Sequence, residues 1–307
     1  MRLSIVTTLY RSAPYIEEFC RRAGEAAARI TDDYEIVLVN DGSPDDSLAV
    51  AVAAYERDPH IRVIDLSRNF GHHRAMMTGL AHARGDRVFL LDADLEQQPE
   101  LLPQFAAEME RSGADVVYGV QSKRTGGLGE RVIGSLYYKL FNFLSSTEIP
   151  ANIVTMRLMT RRYVAALVRH REREILIAGL WVITGFEQVP LEISRIAKGS
   201  TTYTLKRKMT AFVNGITAFS NRPLIYVFYM GMTISFVSVI AAAVLVVRKL
   251  FFGYFLAGWP SLIVSIWLLG GLTISCLGII GIYIAKLFSE SKRRPYAIIR
   301  EVYERPE

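Results

Sequence analysis

The chain has 307 residues, 51% of them apolar, with a net charge of +6, a pI near 9.3 and a mean hydropathy of +0.22. That length allows one large domain or two smaller ones, and the apolar share is high for a soluble protein, so a membrane-embedded part is expected. Cys20 and Cys276 stand far apart in unlike contexts and support neither a disulfide framework nor a CxxC metal site. The basic balance suits nucleic acid, anionic lipid or a phosphorylated substrate.

The opening MRLSIVTTLYRS is too short an apolar run for a signal peptide, so the N-terminal part is expected to stay in the cytosol. Leu3 to Leu9 reads as a strand closed by a Tyr10–Pro14 turn. Helical spacing follows from about Tyr15 to Ile30, with Ile16, Phe19, Ala23 and Ala27 on one face. Tyr34 to Val39 is a second strand running into the turn Asn40-Asp41-Gly42-Ser43, with a helix starting near Pro44-Asp45. Ile61 to Leu66 is a third strand, then Ser67-Arg68-Asn69-Phe70-Gly71 and a helix from about His72 to His82. Gly85-Asp86 turns into a fourth strand, Val88 to Leu91. A helix over Pro99 to Arg111 and a fifth strand, Asp115 to Val120, complete the pattern. Such alternation predicts an α/β fold with a mostly parallel sheet.

Asp92 and Asp94 follow the fourth strand. Residues two apart in an extended chain face the same way, so both carboxylates are expected at the strand's C-terminal end, where open α/β sheets bind ligands. Paired oxygen ligands suit a hard divalent cation that also holds phosphate oxygens. A lone DxD is more often a solvated turn after a core strand, so its surroundings must decide. Neither GxxxxGK[ST] nor a GxGxxG after the first strand is present. The sheet therefore binds its ligand through carboxylates and a metal, or does not bind phosphates. The cluster Gly126-Gly127-Leu128-Gly129 reads as a loop.

Residues 129–145 are amphipathic and aromatic, and a core-packing helix is favoured there over a membrane-surface one. Leu205 to Phe219 carries Lys206, Arg207 and Lys208 and suits an interfacial helix. Pro223 to Val247 has no charged residue, and neither has Leu250 to Ala285; each holds enough apolar length for a bilayer span. The expected organisation is a sheet domain (1–204), an interfacial helix (205–222), two transmembrane helices within 223–287 (about 223–247 and 260–285) and a C-terminal tail (288–307). Basic residues flanking the pair (Lys206, Arg207, Lys208, Arg222; Lys286, Lys292, Arg293, Arg294) outnumber Arg248 and Lys249 in the connection. Both termini are therefore expected on the cytosolic side of the inner membrane.

VTTLY near the start, VNDGSPDDS (Val39–Ser47), SRNFGHHRAMMTGL (Ser67–Leu80) and LDADLEQQPE (Leu91–Glu100) together resemble family 2 glycosyltransferases of the GT-A fold. With two spans after one sheet domain, the chain resembles the polyprenyl-phosphate branch, which includes dolichyl-phosphate mannose synthase and bacterial undecaprenyl-phosphate sugar transferases. IPANIVTMRLMTRR (Ile149–Arg162) and FSNRPL (Phe219–Leu224) fit the same branch. The resemblance implies that Asp41 contacts the nucleotide base and Asp92 lies against the nucleotide sugar. Thr8, Tyr10, Asn69, His72 and Ala93 join them on the donor side. It makes Asp94, with Glu96 beside it, the holder of Mg²⁺ or Mn²⁺. Arg124 matches the second Arg of a GxRxxR segment, with Gln121 replacing the first, and Arg157 matches the Arg of GDFRL. Asp94, Arg124 and Arg157 are thus the candidate catalytic residues, and Arg124, Arg131, Lys198 and Tyr203 the candidate holders of the acceptor phosphate. Thr202 replaces a Lys of the motif around Lys198 and Tyr203.

Thr155 stands where relatives have an Asp considered as a base. A phosphate monoester has a second pKa of about 6, so the acceptor is already a nucleophile at neutral pH, and base catalysis matters most when the attacking oxygen must lose a proton. The implied activity is inverting transfer from a nucleotide sugar, a UDP-sugar above all, to undecaprenyl phosphate at the cytosolic membrane face. Its partners are donor, polyprenyl phosphate and membrane, with no nucleic acid. Gly270-Gly271 and Gly278–Gly281 allow close helix packing and a homo-oligomer. Two alternatives stand beside this reading. A polysaccharide synthase is disfavoured because QxxRW and further spans are absent. An inactive nucleotide-sugar-binding partner of envelope-synthesis proteins is kept open by the Thr155, Gln121 and Thr202 departures.

Overall fold

The computed structural model describes residues 2–121, 150, 152–172, 177–193, 217, 220–252 and 258–305. The expected helix over 129–145 and nearly all of the interfacial stretch 205–219 lie outside the described residues.

Four apolar runs form β1 (Leu3–Leu9), β2 (Tyr34–Asn40), β3 (Ile61–Leu66) and β4 (Arg87–Leu90), buried along almost their whole length. Such continuous burial belongs to strands covered by helices on both faces. Between them run α1 (Ile16–Ala28), α2 (Ser47–Arg57) and α3 (His72–His82), followed by α4 (Leu102–Ser112). β5 (Val116–Gln121), β6 (Ile153–Thr160), α5 (Arg161–Leu167), α6 (Ile177–Ile183) and β7 (Gln188–Ile193) extend the unit. α7 (Arg222–Phe252), α8 (Trp259–Ser291) and β8 (Ile299–Tyr303) complete the described chain.

The sheet has the order β7-β5-β6-β4-β1-β2-β3-β8. β6 runs antiparallel to β4 and β5, and β8 antiparallel to β3, while the other pairs are parallel. The α/β, GT-A-like architecture expected from the motifs is the one observed. The chain steps outward from β1 through β2 to β3, and α3 then carries it back past β1 to β4. Right-handed crossovers put α1 and α2 on one face and α3 on the other. Accordingly α1 packs on α2 and α4, and α3 on β1, β2 and α5. The strand order therefore reverses between β1 and β4, and ligands of open α/β sheets sit at the carboxyl ends of strands at such a point.

Three expectations need correction. The fourth strand ends at Leu90, and Ala93-Asp94 already lie in a turn. Asp92 and Asp94 are therefore brought together by a loop, not by strand alternation. The helix expected from Pro99 begins as a single 3-10 turn, Pro99–Leu101, before α4. Residues Ile299–Tyr303, expected within a tail, form the edge strand β8.

The described residues fall into two compact units, one holding the sheet with α1 to α6, the other α7 and α8. Within the second, Ser265–Ser291 is long and apolar enough to cross a membrane. Its large apolar side chains are open to the surroundings, Trp267 at 79% and Ile274 at 72%. α7 has 31 residues, about 46 Å at 1.5 Å per residue. The Tyr283 hydroxyl donates to the Ser220 carbonyl at 2.6 Å, tying α8 to the residues just before α7.

Candidate active site

The site is built at the strand-order reversal. β1 and β4 pair up to Val6–Leu90, and the Leu91 amide still donates to the Val6 carbonyl at 3.2 Å. Beyond that bond the strands part, with Thr8 on one side and Asp92 on the other. His72, the first residue of α3, bridges them. Its Nδ1 lies 2.9 Å from Thr8 Oγ1, and its Nε2 lies 3.3 Å from Asp92 Oδ1. The second oxygen of Asp92 accepts from Gln97 Nε2 at 2.9 Å. Asp92 is thus held from both sides.

The His72–Asp92 contact has the separation of an ion pair but not the angles of a hydrogen bond. Among the described residues Asp92 Oδ1 is therefore a buried carboxylate oxygen without a hydrogen-bond donor, and Gln97 Oε1 is likewise without one. Buried polar atoms are nearly always satisfied in folded proteins, so an exception calls for an explanation such as a bound ion. Two residues on, Asp94 Oδ1 accepts from the Glu96 amide at 3.0 Å, and Leu95 between them has a positive φ of 61°. That turn puts Asp94 and Glu96 on one short loop next to Asp92. The donor set is all oxygen, as a hard divalent cation prefers. No group of three or more His, Cys, Asp or Glu among the described residues is placed to hold a metal unaided. The oxygen-only donor set fits a hard divalent cation held by one or two carboxylates, with substrate phosphates completing its shell.

On the far side of β1, the NDGS turn and the SRNFG loop interlock. Asn40 Nδ2 donates to Asp65 Oδ1 at 2.8 Å. Asp41, 2% exposed, accepts from the Phe70 amide at 2.7 Å and the Gly71 amide at 3.0 Å. Burial raises its pKa, and those two amides oppose the rise. One amide on each oxygen of Asp41 thus holds the loop that launches α3 against the NDGS turn. Gly42 explains how close the two loops come. It has φ +57°, and a Cβ there would lie 2.4 Å from backbone atoms of Arg68 and Asn69. The same turn ties down the β1–α1 loop, because the Arg11 amide donates to Ser43 Oγ at 2.7 Å and the Ser12 amide to Ser47 Oγ at 2.9 Å. Tyr10 remains exposed on the rim. A cleft of about 660 Å³ opens here, lined in part by Asn40, Ser43, Asp65, Arg68, Arg300 and Tyr303.

Arg157 arrives from β6, in register with Leu90 of β4 and Tyr118 of β5. It is 1% exposed. Its guanidinium lies 2.9 Å from the Trp181 ring centroid, within the range of a cation–π contact. Its Nε and Nη2 reach the Thr155 and Val154 carbonyls at 3.3 and 3.4 Å. Burial lowers its pKa to about 9, and the group remains a cation at neutral pH.

The structure therefore brings together Thr8, His72, Asp92, Ala93, Asp94 and Glu96, with Asp41 and Asn69 in the adjoining loops and Arg157 one strand over. Arg124, Arg131, Lys198 and Tyr203 lie outside the described residues. Sequence reasoning missed Gln97, although it stands in the quoted LDADLEQQPE. It also missed Asp65, whose signal was a charged residue inside the apolar run IRVIDL.

Comparisons with known proteins agree with this arrangement. The family model described as Glycosyl transferase family 2 matches residues 4–168. A Mycobacterium tuberculosis protein carrying a glycosyltransferase name is 53% identical over 303 residues, covering 99% of this chain and 89% of that protein. The Bacillus subtilis protein named uncharacterized glycosyltransferase YkcC is 33% identical, covering 99% of this chain and 94% of its own. The Escherichia coli prophage bactoprenol glucosyl transferase homolog is 32% identical over 98% of this chain and 99% of its own. With its sheet, its carboxylate loop and these relatives on one line of descent, the chain belongs to glycosyl transferase family 2 and is a glycosyltransferase.

Proposed function

We propose that the protein transfers a sugar from a UDP-sugar to undecaprenyl phosphate at the cytosolic face of the inner membrane, with inversion at the sugar carbon. The observation that carries the reading is the loop Asp92–Glu96. It sets a buried carboxylate oxygen that lacks a hydrogen-bond donor among the described residues, and two further carboxylates, beside the β1/β4 reversal. The lipid acceptor is supported by the relatives named for bactoprenol transfer, which match nearly the whole chain.

In this reading Thr8, Tyr10, Asp41 and the SRNFG loop bind the nucleotide, and Asp92, braced by His72 and Gln97, orients the donor sugar. Asp94 and Glu96 would hold Mg²⁺ or Mn²⁺, which when bound neutralises the diphosphate leaving group. The acceptor phosphate is largely a dianion above its second pKa of about 6 and attacks without surrendering a proton. What the chain must supply is alignment and compensation of negative charge, and Arg157, with Arg124, Arg131, Lys198 and Tyr203, is assigned to that task.

A two-span anchor is supported by connectivity. β8 follows α8 and rejoins the sheet that precedes α7. A chain that leaves a cytosolic domain and returns to it crosses the bilayer an even number of times. The test offers purified protein a panel of nucleotide sugars with undecaprenyl phosphate and Mg²⁺ or Mn²⁺, reading sugar in the organic-extractable product. Asp94→Asn should abolish transfer while leaving membrane insertion intact. Undiminished transfer by that variant would remove the metal assignment, and metal-dependent donor binding without turnover would replace the enzyme by a binding partner.

A further inference from the structure

We infer that Arg300, on the strand that follows α8, is a positioning residue for the donor end of the site. The donor assignment and the activity readout rest on the proposed function, and the tie between the two loops does not. β8 pairs antiparallel with β3, so its first residues lie at the carboxyl end of β3, where the donor-side loops begin, and its last residues lie at the opposite end. At the first end the Ser67 amide donates to the Ile298 carbonyl at 2.9 Å. Arg300 Nη2 donates to the Ser67 carbonyl at 2.7 Å, and its Nη1 lies 3.3 Å from Asp65 Oδ2.

Asp65 is the hinge of the arrangement. It is 1% exposed, and its other oxygen accepts from Asn40, whose own Oδ1 accepts from the Ser43 amide at 3.3 Å. One guanidinium thus reaches both loops that frame the donor side: the SRNFG loop through Ser67, and the NDGS turn through Asp65 and Asn40. It lines the same 660 Å³ cleft as Asn40 and Arg68. Arg300 itself is more than half exposed, so Coulomb attraction across the pair is screened. Its weight comes from the buried carboxylate it serves. Without Arg300, Asp65 keeps Asn40 but loses the cation that compensates its charge, and a buried ionised group left short of partners relaxes toward water. Relaxation of Asp65 moves Asn40 and the turn behind it.

The opposite end of β8 provides the control. There Glu304 Oε2 lies 2.6 Å from Arg62 Nη2 and 3.0 Å from Arg84 Nη2, remote from both loops along the strand. Loss of that cluster weakens the attachment of β8 without touching the donor side.

The experiment uses the full chain in detergent micelles. Arg300→Ala is expected to raise the donor KM about three- to tenfold with kcat within about twofold, the size of one lost charge-assisted contact. Arg300→Lys should recover part of that loss by returning the charge beside Asp65. Glu304→Gln should lower the melting temperature and leave the donor KM unchanged. Amide hydrogen exchange gives the second readout and needs no activity: protection at 42–47 and 67–71 should fall in Arg300→Ala and not in Glu304→Gln. The inference is overturned if exchange in those segments is unchanged in Arg300→Ala, if the donor KM stays within twofold, or if Glu304→Gln shifts either readout as much. If the wild-type chain transfers no sugar at all, the proposed function fails and the exchange result alone decides the role of Arg300.

Discussion

Replacing His72 by Ala tests the bridge across the β1/β4 reversal. The imidazole makes two contacts that the variant loses, to Thr8 at 2.9 Å and to Asp92 at 3.3 Å. A hydrogen bond of the first kind contributes about 0.5–1.5 kcal/mol. The second involves an imidazole that is 49% exposed, so after solvent screening it contributes under about 1 kcal/mol. The sum, about 1–2 kcal/mol, corresponds to a loss of roughly 5- to 30-fold in kcat/KM for the donor. The assay is sugar transfer at varied donor concentration, repeated in an Asp92→Asn background. If His72 acts by bracing Asp92, its removal should cost less there, because only the Thr8 contact is left to lose, and the double-mutant cycle should show coupling. An equal loss in both backgrounds would refute bracing, and a loss under twofold in the wild-type background would refute the bridge altogether.

Gly42→Ala should lower stability by about 2–5 kcal/mol, since it adds a left-handed conformation costing about 1–2 kcal/mol to a clash of overpacking size, about 1–3 kcal/mol; denaturant titration checks this, and a wild-type midpoint would contradict the close approach of the two loops. Arg62→Met strands buried Glu35, which lies 2.7 Å from Arg62 Nη1, and should cost about 3–5 kcal/mol, whereas adding Glu35→Gln to it should restore part of the loss. Glu35 also sets a pH dependence. Burial pushes its pKa up, but hydrogen bonds from Ser4, Arg62 and the Arg84 amide outweigh it and leave the carboxyl below its ordinary 4.5. A folded-state pKa below the unfolded value stabilises the protein above about pH 4.5 and is lost as pH falls through the folded value, so unfolding midpoints measured from pH 6 downward should fall less steeply in Glu35→Gln.

The central strands were readable because burial on both faces leaves only apolar residues in them, as in Ile36 to Val39 and Val88 to Leu90. The DxD was readable as chemistry but not as geometry. Nothing in LLDADLEQQ marks Leu90 as the last strand residue, because Leu91 is as apolar and as buried as its predecessors. What ends the strand is the parting of β1 and β4, a property of the sheet and not of the segment. β8 was unreadable for a related reason. IREVY alternates weakly and carries two charges, as an edge strand does, and its partner β3 lies more than two hundred residues earlier. The bracing of Asp92 by His72 was hidden by the same distance, and so was the hold of Asp41 on the loop before α3. The amides that Asp41 accepts from, those of Phe70 and Gly71, belong to a loop about thirty residues further on.

Arg157 draws the acceptor side into the same physics. A fully buried guanidinium is costly unless an anion compensates it. Among the described residues it meets two carbonyls and the face of Trp181, and no carboxylate. Trp181 in turn has a buried indole N–H without an acceptor among those residues. Two residues before Arg157 on the same strand stands Thr155, a neutral side chain. A carboxylate there would neutralise the cation within the protein, and a threonine leaves its charge to be answered by something else. In the proposed reaction, where donor and acceptor both carry phosphate, an incoming anion is the natural counter-charge, and charge compensation is the help that an already deprotonated nucleophile needs.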